Sequence, residues 1–177
     1  MRKLSMPELN RLSQEEFRSA EKLPLILVLD NIRSALNVGS VFRTADAFAV
    51  ESIVLCGITA QPPHRDMLKT ALGATDTVAW QYYSSTAEAL GHLKEQGVYI
   101  VAVEQTDESM SLQNFNPVEG RKYAFILGNE VKGVSEEALP YCDAALEIPQ
   151  FGTKHSLNVA VCAGVVVWEF AKKSRKL

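Results

Sequence analysis

The chain alternates between short apolar runs and segments in which apolar residues recur every three or four positions. The runs are typical of strands buried on both faces, because nearly every position in them is apolar. They cover residues 25–29, 52–56, 98–103, 123–127 and 144–148, and a weaker alternation predicts a further strand at 76–82. Because helical patterns lie between strands, the order predicts βαβ units in a single α/β domain with a mostly parallel sheet flanked by helices.

Two helices have clear sequence signals. The first is predicted from Asn37, as its N-cap, to about Phe48, because its apolar residues fall on one face: Val38, Val41, Phe42, Ala45 and Phe48. The second begins at a capping box formed by Ser85 and Glu88 and ends at Gly97.

Other helical patterns lie nearer the two ends of the chain. Ser13 is a predicted cap for a short N-terminal helix, a further short helix is expected within 58–75, and another begins at Ser135. The last element, about 156–173, is apolar almost all round. Its β-branched residues also suit a strand, but its length favours a buried helix capped by Ser156, part of which we expect to meet a second subunit. The basic residues 172–176 suit a helix C-terminus.

Bulk properties set limits on the class of protein. The 177 residues are 47% hydrophobic and 22% charged, which is ordinary for one globular domain, here 24–177, preceded by an arm, 1–23. We expect a cytoplasmic protein, because neither a membrane-spanning segment nor a signal-peptide core is recognisable. The net charge of −3 argues against a wholly basic nucleic-acid binder, although it leaves room for a local basic patch.

Several common chemistries lack their motif. The chain has no G-x-G-x-x-G for a dinucleotide and no G-x-S-x-G for a hydrolase nucleophile. Gly128 and Gly133 have the spacing of a phosphate-binding loop, but Val134 stands where that loop needs its lysine. The three cysteines are far apart and form no metal-ligand spacing, so we expect reduced, buried thiols and no metal site.

The candidate chemistry lies in polar loops that follow apolar strands. Ligands of open α/β sheets bind outside the carboxyl ends of the strands, so such loops are expected to form a pocket. Three segments resemble the motifs of the SpoU/TrmH family of RNA ribose 2′-O-methyltransferases, in order and at suitable spacings. They are NIRSALNVG at 31–39 with FRTAD at 42–46, LGNE at 127–130 with Gly133, and Ile148-Pro149 with Gly152 and SLNV at 156–159.

The resemblance implies an activity, a cofactor and a set of site residues. It implies methyl transfer from S-adenosyl-L-methionine to the 2′-hydroxyl of an RNA ribose. The cofactor pocket would be formed by Glu104, Thr106, Leu127, Gly128, Asn129, Ile148, Pro149, Gln150, Ser156 and Leu157. The catalytic group would be Arg43, Asn37, Glu130, Ser156 and Asn158. Gln150 departs from the family, many of whose members carry methionine there.

Arg43 is the residue to which the resemblance gives the central catalytic role. A guanidinium essentially never deprotonates in proteins, so a bidentate clamp on the substrate phosphate explains it better than a general base. Four of these five candidates also have a simpler interpretation. Asn37 and Ser156 would serve as helix caps, Glu130 as a solvated loop acid, and Arg43 as a surface arginine.

Fold details, partners and substrate follow from the resemblance as further expectations. It implies a C-terminal trefoil knot, against general chain-topology rules, and a homodimer in which Arg43 approaches the partner's pocket. The short N-terminal arm favours tRNA over rRNA. The arm either packs on the domain or contacts RNA, and the other candidate RNA contacts are Arg33, Arg65, Lys69, Lys132, Lys154 and the basic C-terminal end. The alternatives are a non-catalytic RNA-binding module and a base-nitrogen methyltransferase.

Overall fold

A seven-stranded parallel sheet forms the centre of the protein. The computed structural model describes residues 1–5 and 7–175, so Lys176 of the predicted basic end lies outside the described residues. The strand order is β3-β2-β1-β6-β4-β7-β5, and every pairing between these strands is parallel. The strands are β1 (Leu23–Asp30), β2 (Val50–Cys56), β3 (Ala79–Tyr83), β4 (Tyr99–Val103), β5 (Met110–Ser111), β6 (Tyr123–Leu127) and β7 (Ala144–Glu147).

Both faces of the sheet are covered, which explains the continuous apolar runs. In β1, Leu25, Leu27 and Leu29 point into one hydrophobic cluster, while Ile26 and Val28 point into the other. All five side chains are at most 4% exposed. The single α/β domain and its parallel sheet are therefore confirmed, and β5 is an additional strand in a segment that carried no strand signal.

Within the described residues, five α-helices flank the sheet: α1 (Gln14–Ser19), α2 (Ala35–Ala47), α3 (Arg65–Ala71), α4 (Thr86–Glu95) and α5 (Val159–Ser174). α2, α3 and α5 contribute to one hydrophobic cluster, and α4 contributes to the other. In the N-terminal arm, α1 buries Phe17 in the first cluster, and the Arg18 guanidinium donates to the Asp76 carbonyl at 2.8 Å. The arm therefore packs on the domain through both apolar and polar contacts.

Three predicted helix starts are wrong. α2 is capped by Ser34, whose hydroxyl accepts from the Asn37 amide, so Asn37 lies inside the first turn. α5 is capped by Asn158 rather than Ser156. No helix starts at Ser135, and the segment contains only a 3₁₀ turn, Leu139–Tyr141. Several Ser and Asn residues in these segments can cap a helix by residue type, and a sequence pattern does not reveal which of them the folded chain places at the first turn.

Strand order brings the sequence-distant loops together. β6 lies between β1 and β4, and β4 lies between β6 and β7. Parallel strands end at the same edge of a sheet, so the segments that follow these four strands share one edge. This arrangement places the three motif-like segments next to one another.

Candidate active site

A cavity of about 690 Å³ opens at this edge of the sheet. Its walls come from the segments 103–106, 127–134, 147–150 and 155–159, together with Leu139 and Cys162. Nine of the ten predicted cofactor residues line it, and Pro149 does not. The size lies within the range of about 300–1,000 Å³ that is usual for small-molecule sites.

The loop after β6 forms one wall because it folds back tightly on itself. The amides of Asn129 and Gly133 each donate to the other's carbonyl, both at 2.9 Å. A Cβ at Gly128 would lie 2.2 Å from the Gly133 carbonyl carbon and the Val134 nitrogen, so only glycine fits there. Gly133 itself has φ +71°, a conformation that favours glycine.

Asn129 shapes this loop with its side chain. Its Nδ2 donates to the Asn31 carbonyl at 2.6 Å, and its Oδ1 accepts from the amides of Val131 and Lys132 at 2.9 and 3.1 Å. Glu104 also serves the loop, because its Oε2 accepts from the Val134 amide at 3.0 Å. Both residues line the cavity as predicted, but their side chains already have partners within the protein.

Glu130 connects this loop to the start of α2. Its carboxylate accepts from the amides of Arg33 and Ser34 at 2.9 and 3.1 Å and from Asn37 Nδ2 at 3.1 Å. Burial alone would raise the pKa of Glu130, but these hydrogen bonds outweigh it and leave the pKa below its ordinary value. Glu130 is therefore more than the solvated loop acid of its simpler interpretation.

Asn37 continues the chain of contacts to the third segment. Its Oδ1 accepts from Asn158 Nδ2 at 3.1 Å, and Asn158 Oδ1 caps α5 by accepting from the Ala160 amide at 2.9 Å. Glu130, Asn37 and Asn158 thus form one hydrogen-bonded chain across residues far apart in sequence. Ser156 also lines the cavity but takes no part in this chain, and its side chain is exposed.

Arg43 is the one predicted catalytic residue that lies elsewhere. Its side chain is exposed and lines a second cavity of about 530 Å³, between the N-terminal arm, the end of α2 and the segment after α3. Two other arginines, Arg11 and Arg175, line the same cavity. Within one chain, then, Arg43 does not join Ser156 and Asn158.

The predicted RNA contacts are spread over the surface. Lys132 lines the first cavity, and Lys154 and Arg33 are exposed on segments that border it. Arg65 and Lys69 are exposed on α3, where Lys69 forms an ion pair with Asp66 at 2.6 Å. The structure therefore separates three basic residues close to the cavity from two on α3.

Sequence reasoning missed several cavity residues. Val103 and Glu147 are the last residues of β4 and β7, so their positions at strand ends could have identified them. Cys162 lies one helical turn after Asn158 in α5. Leu139 lies in a segment that was expected to be a short helix, and no motif marked it as a cavity residue.

The described residues contain no group of three or more His, Cys, Asp or Glu side chains placed to hold a metal ion. None of the helices in the described part of the chain has both the length and the apolar character needed to cross a membrane.

Comparisons with known proteins identify the family of the chain. Residues 24–168 match the family model described as the SpoU rRNA Methylase family. A relative from Neisseria meningitidis serogroup B, named 23S rRNA (guanosine-2'-O-)-methyltransferase RlmB, is 35% identical over 146 residues, which cover 82% of this chain and 57% of the relative. A Bacillus subtilis relative, named as a TrmH family tRNA/rRNA methyltransferase, YacO, is 30% identical over 85% of this chain and 59% of its own length.

Solved structures of other proteins have a fold similar to that of this chain. The AdoMet-bound rRNA methyltransferase from Sinorhizobium meliloti has a TM-score of 0.78 and 26% identity, covering 91% of this chain and 60% of that one. A structure described as giving insights into the 2-OH methylation of C/U34 on tRNA has a TM-score of 0.74 and 27% identity, covering 84% of this chain and 95% of that one. This chain spans little more than half the length of the RlmB relative. Because the family model matches most of its residues, the chain belongs to the SpoU rRNA methylase family.

Proposed function

We propose that the protein is an S-adenosyl-L-methionine-dependent enzyme that methylates the ribose 2′-hydroxyl of RNA. The observation that carries the proposal is the cavity at the carboxyl edge of the sheet, whose walls are joined by the Glu130–Asn37–Asn158 hydrogen bonds. The names of the relatives support the same activity.

The cavity has the chemistry needed to hold the cofactor. Apolar side chains from Leu127, Ile148 and Leu157 suit an adenine ring, and the carboxylates of Glu104 and Glu147 suit hydroxyl and ammonium groups. When bound, S-adenosyl-L-methionine supplies a methyl group on an activated sulfonium. The protein's own contribution is to orient the ribose and exclude water from the cavity.

Arg43 acts in this proposal as a phosphate clamp. Its guanidinium can bind two oxygens of a substrate phosphate and so place the neighbouring ribose. As the 2′-oxygen is methylated, its hydroxyl proton is released and ends in bulk water once the site opens, and Arg43 stays charged throughout.

A second copy of the chain brings Arg43 to the cavity in this proposal. The same residue lines a different cavity within its own chain. The support for a homodimer is an exposed apolar face on α5, where Val161, Val165 and Trp168 are 54%, 37% and 50% exposed. Burying such a face against its own copy would give a symmetric dimer.

Ribosomal RNA is the substrate we propose first. The curated relatives are named mainly for 23S rRNA, so they do not support the preference for tRNA that the short arm suggested. Transfer RNA remains the second candidate because the match to the structure concerned with C/U34 on tRNA covers 95% of that structure's own chain.

The test is transfer of labelled methyl from S-adenosyl-L-methionine to total RNA, which is then separated by size and digested to nucleosides. We expect a labelled 2′-O-methylnucleoside in ribosomal RNA. Label in tRNA-sized RNA would keep the chemistry and reverse the substrate order, and a methylated base would refute ribose methylation. RNA binding without cofactor binding or transfer would favour the non-catalytic module.

Arg43→Ala tests the catalytic assignment. We expect transfer to be lost while cofactor affinity stays within about twofold of wild type. Arg121→Ala is the matched control, because this exposed arginine lies just before β6, at the opposite edge of the sheet. An active Arg43→Ala enzyme would contradict the phosphate clamp.

A further inference from the structure

Asp30 is a buried carboxylate at the end of β1 that the proposed chemistry does not use. It is 0% exposed, and three donors point at its two oxygens. Thr86 Oγ1 and Asn31 Nδ2 donate to Oδ1 at 2.5 and 2.9 Å, and the Ser135 amide donates to Oδ2 at 2.7 Å. Within the described residues, no lysine or arginine forms an ion pair with it, so these hydrogen bonds must offset the cost of its burial.

The contact with Ser135 closes the loop that forms one wall of the cavity. That loop starts with Asn129, whose side chain donates to the Asn31 carbonyl at 2.6 Å. It ends with Ser135, whose amide donates to Asp30. Two consecutive residues at the end of β1 therefore hold both ends of the segment that carries Glu130.

A second carboxylate accepts from the C-terminal half of the loop. The Val134 amide donates to Glu104 Oε2 at 3.0 Å, one residue before the contact with Asp30. Glu104 lines the cavity, so a ligand there can compete for it, whereas Asp30 is not among the lining residues. Asp30 is thus the anchor of this half-loop that lies outside the cavity.

We propose that Asp30 is a positioning residue for the cofactor cavity, because it holds residues 129–135 in place from outside the cavity. The inference rests on the proposed function in that it assigns S-adenosyl-L-methionine and its product as the ligands. Asp30 contacts neither, and its effect passes through the amide of Ser135. The sheet alone does not supply this restraint, because residues 128–135 belong to no strand of the sheet.

The main test is Asp30→Asn. An asparagine amide has only one oxygen, and its NH₂ group cannot accept a hydrogen bond. That NH₂ group must therefore face either the Ser135 donor or the two donors from Thr86 and Asn31, which lose their acceptor. We expect the Kd for S-adenosylhomocysteine and the KM for S-adenosyl-L-methionine to rise about tenfold or more, with a smaller change in kcat. We also expect faster amide hydrogen exchange at Val134 and Ser135.

Two variants separate loop positioning from general stability. Thr86→Val removes a donor to Asp30 but leaves the Ser135 contact, so it should lower the melting temperature while ligand affinity stays within about twofold. Ser135→Ala removes a buried hydroxyl that has no partner within the described residues and keeps the amide, so it should leave affinity unchanged. If Asp30→Asn does not fold, Ser135→Pro, which deletes the same N–H, must give the same loss of affinity.

The proposal is overturned if Asp30→Asn binds S-adenosylhomocysteine like wild type, or if Thr86→Val weakens binding equally. Failure of the proposed function is a different result, in which wild-type protein transfers no methyl to RNA. In that case ligand binding and amide exchange still decide the role of Asp30, because neither measurement requires turnover.

Discussion

Gly128→Ala is a substitution whose steric effect on the loop after β6 can be worked out from the structure. The new Cβ would lie 2.2 Å from two backbone atoms, the Gly133 carbonyl carbon and the Val134 nitrogen. Ordinary contact begins at 3.4 Å, so the two halves of the loop must separate by roughly 1.2 Å. No side-chain rotation can relieve the overlap, because both of these neighbours are main-chain atoms.

The separation has a cost that can be estimated from the hydrogen bonds it breaks. The Val134 amide is 3.0 Å from Glu104 Oε2, and a shift of roughly 1.2 Å away from Glu104 would take it beyond hydrogen-bonding distance. Overpacking costs about 1–3 kcal/mol and the lost hydrogen bond about 1 kcal/mol, so we expect about 2–4 kcal/mol of destabilisation. For a domain of this size that lowers the melting temperature by roughly 5–15 °C.

Gly91→Ala is the matched control for this measurement. Gly91 lies inside α4, and the nearest atom to its new Cβ would be Tyr141 Cε1 at 3.9 Å, an ordinary contact. This change should stabilise the protein by about 0.5–1 kcal/mol, because alanine loses less conformational freedom in a helix. The assays are thermal unfolding and calorimetric titration with S-adenosylhomocysteine. A Gly128→Ala protein that melts and binds like wild type would refute the tight loop.

Three further predictions concern charge, packing and thiols. The pKa of Glu130 is lower in the folded state, so its stabilisation relative to Glu130→Gln should be complete above the unfolded pKa of about 4.3 and lost as pH falls through the folded pKa; unfolding of both proteins between pH 7 and 3 measures this. Phe170 packs against Phe125 and Tyr123 with centroids 5.4 Å apart, so Phe170→Ala should cost about 3–5 kcal/mol in urea unfolding. Burial raises the pKa of Cys56 to about 12 and the pKa values of Cys142 and Cys162 to about 11, so native protein should react slowly with Ellman's reagent at pH 8 and rapidly once unfolded.

Prediction from sequence succeeded where one local signal dominated. The β1 run has no polar residue from Leu25 to Leu29, and only a strand covered on both faces can bury all five. Ser13 and Ser85 were identified as caps, and each accepts from the amide three residues later. The predicted capping box of Ser85 and Glu88 is only half formed, because the Glu88 carboxylate accepts from the Ser84 hydroxyl instead of the Ser85 amide.

Helix starts inside the site could not be identified in this way. Asn37 and Ser156 are both plausible caps by residue type, but Ser34 and Asn158 occupy those positions. Because Asn37 does not cap the helix, its side chain can contact Glu130 and Asn158, which lie 93 and 121 positions away in sequence. The trefoil knot and the homodimer stay predictions from the family.

The sequence by itself determined the α/β class, six of the seven strands and the segments that carry the site, because these depend on local periodicity and on short motifs. Only the tertiary structure decided which groups meet. It placed Asp30 and Asn31 behind the loop of Glu130, and it put Arg43 in a different cavity from Ser156. The physical reason is that these contacts depend on strand order, and the order in which strands pair is not written in the periodicity of any one strand.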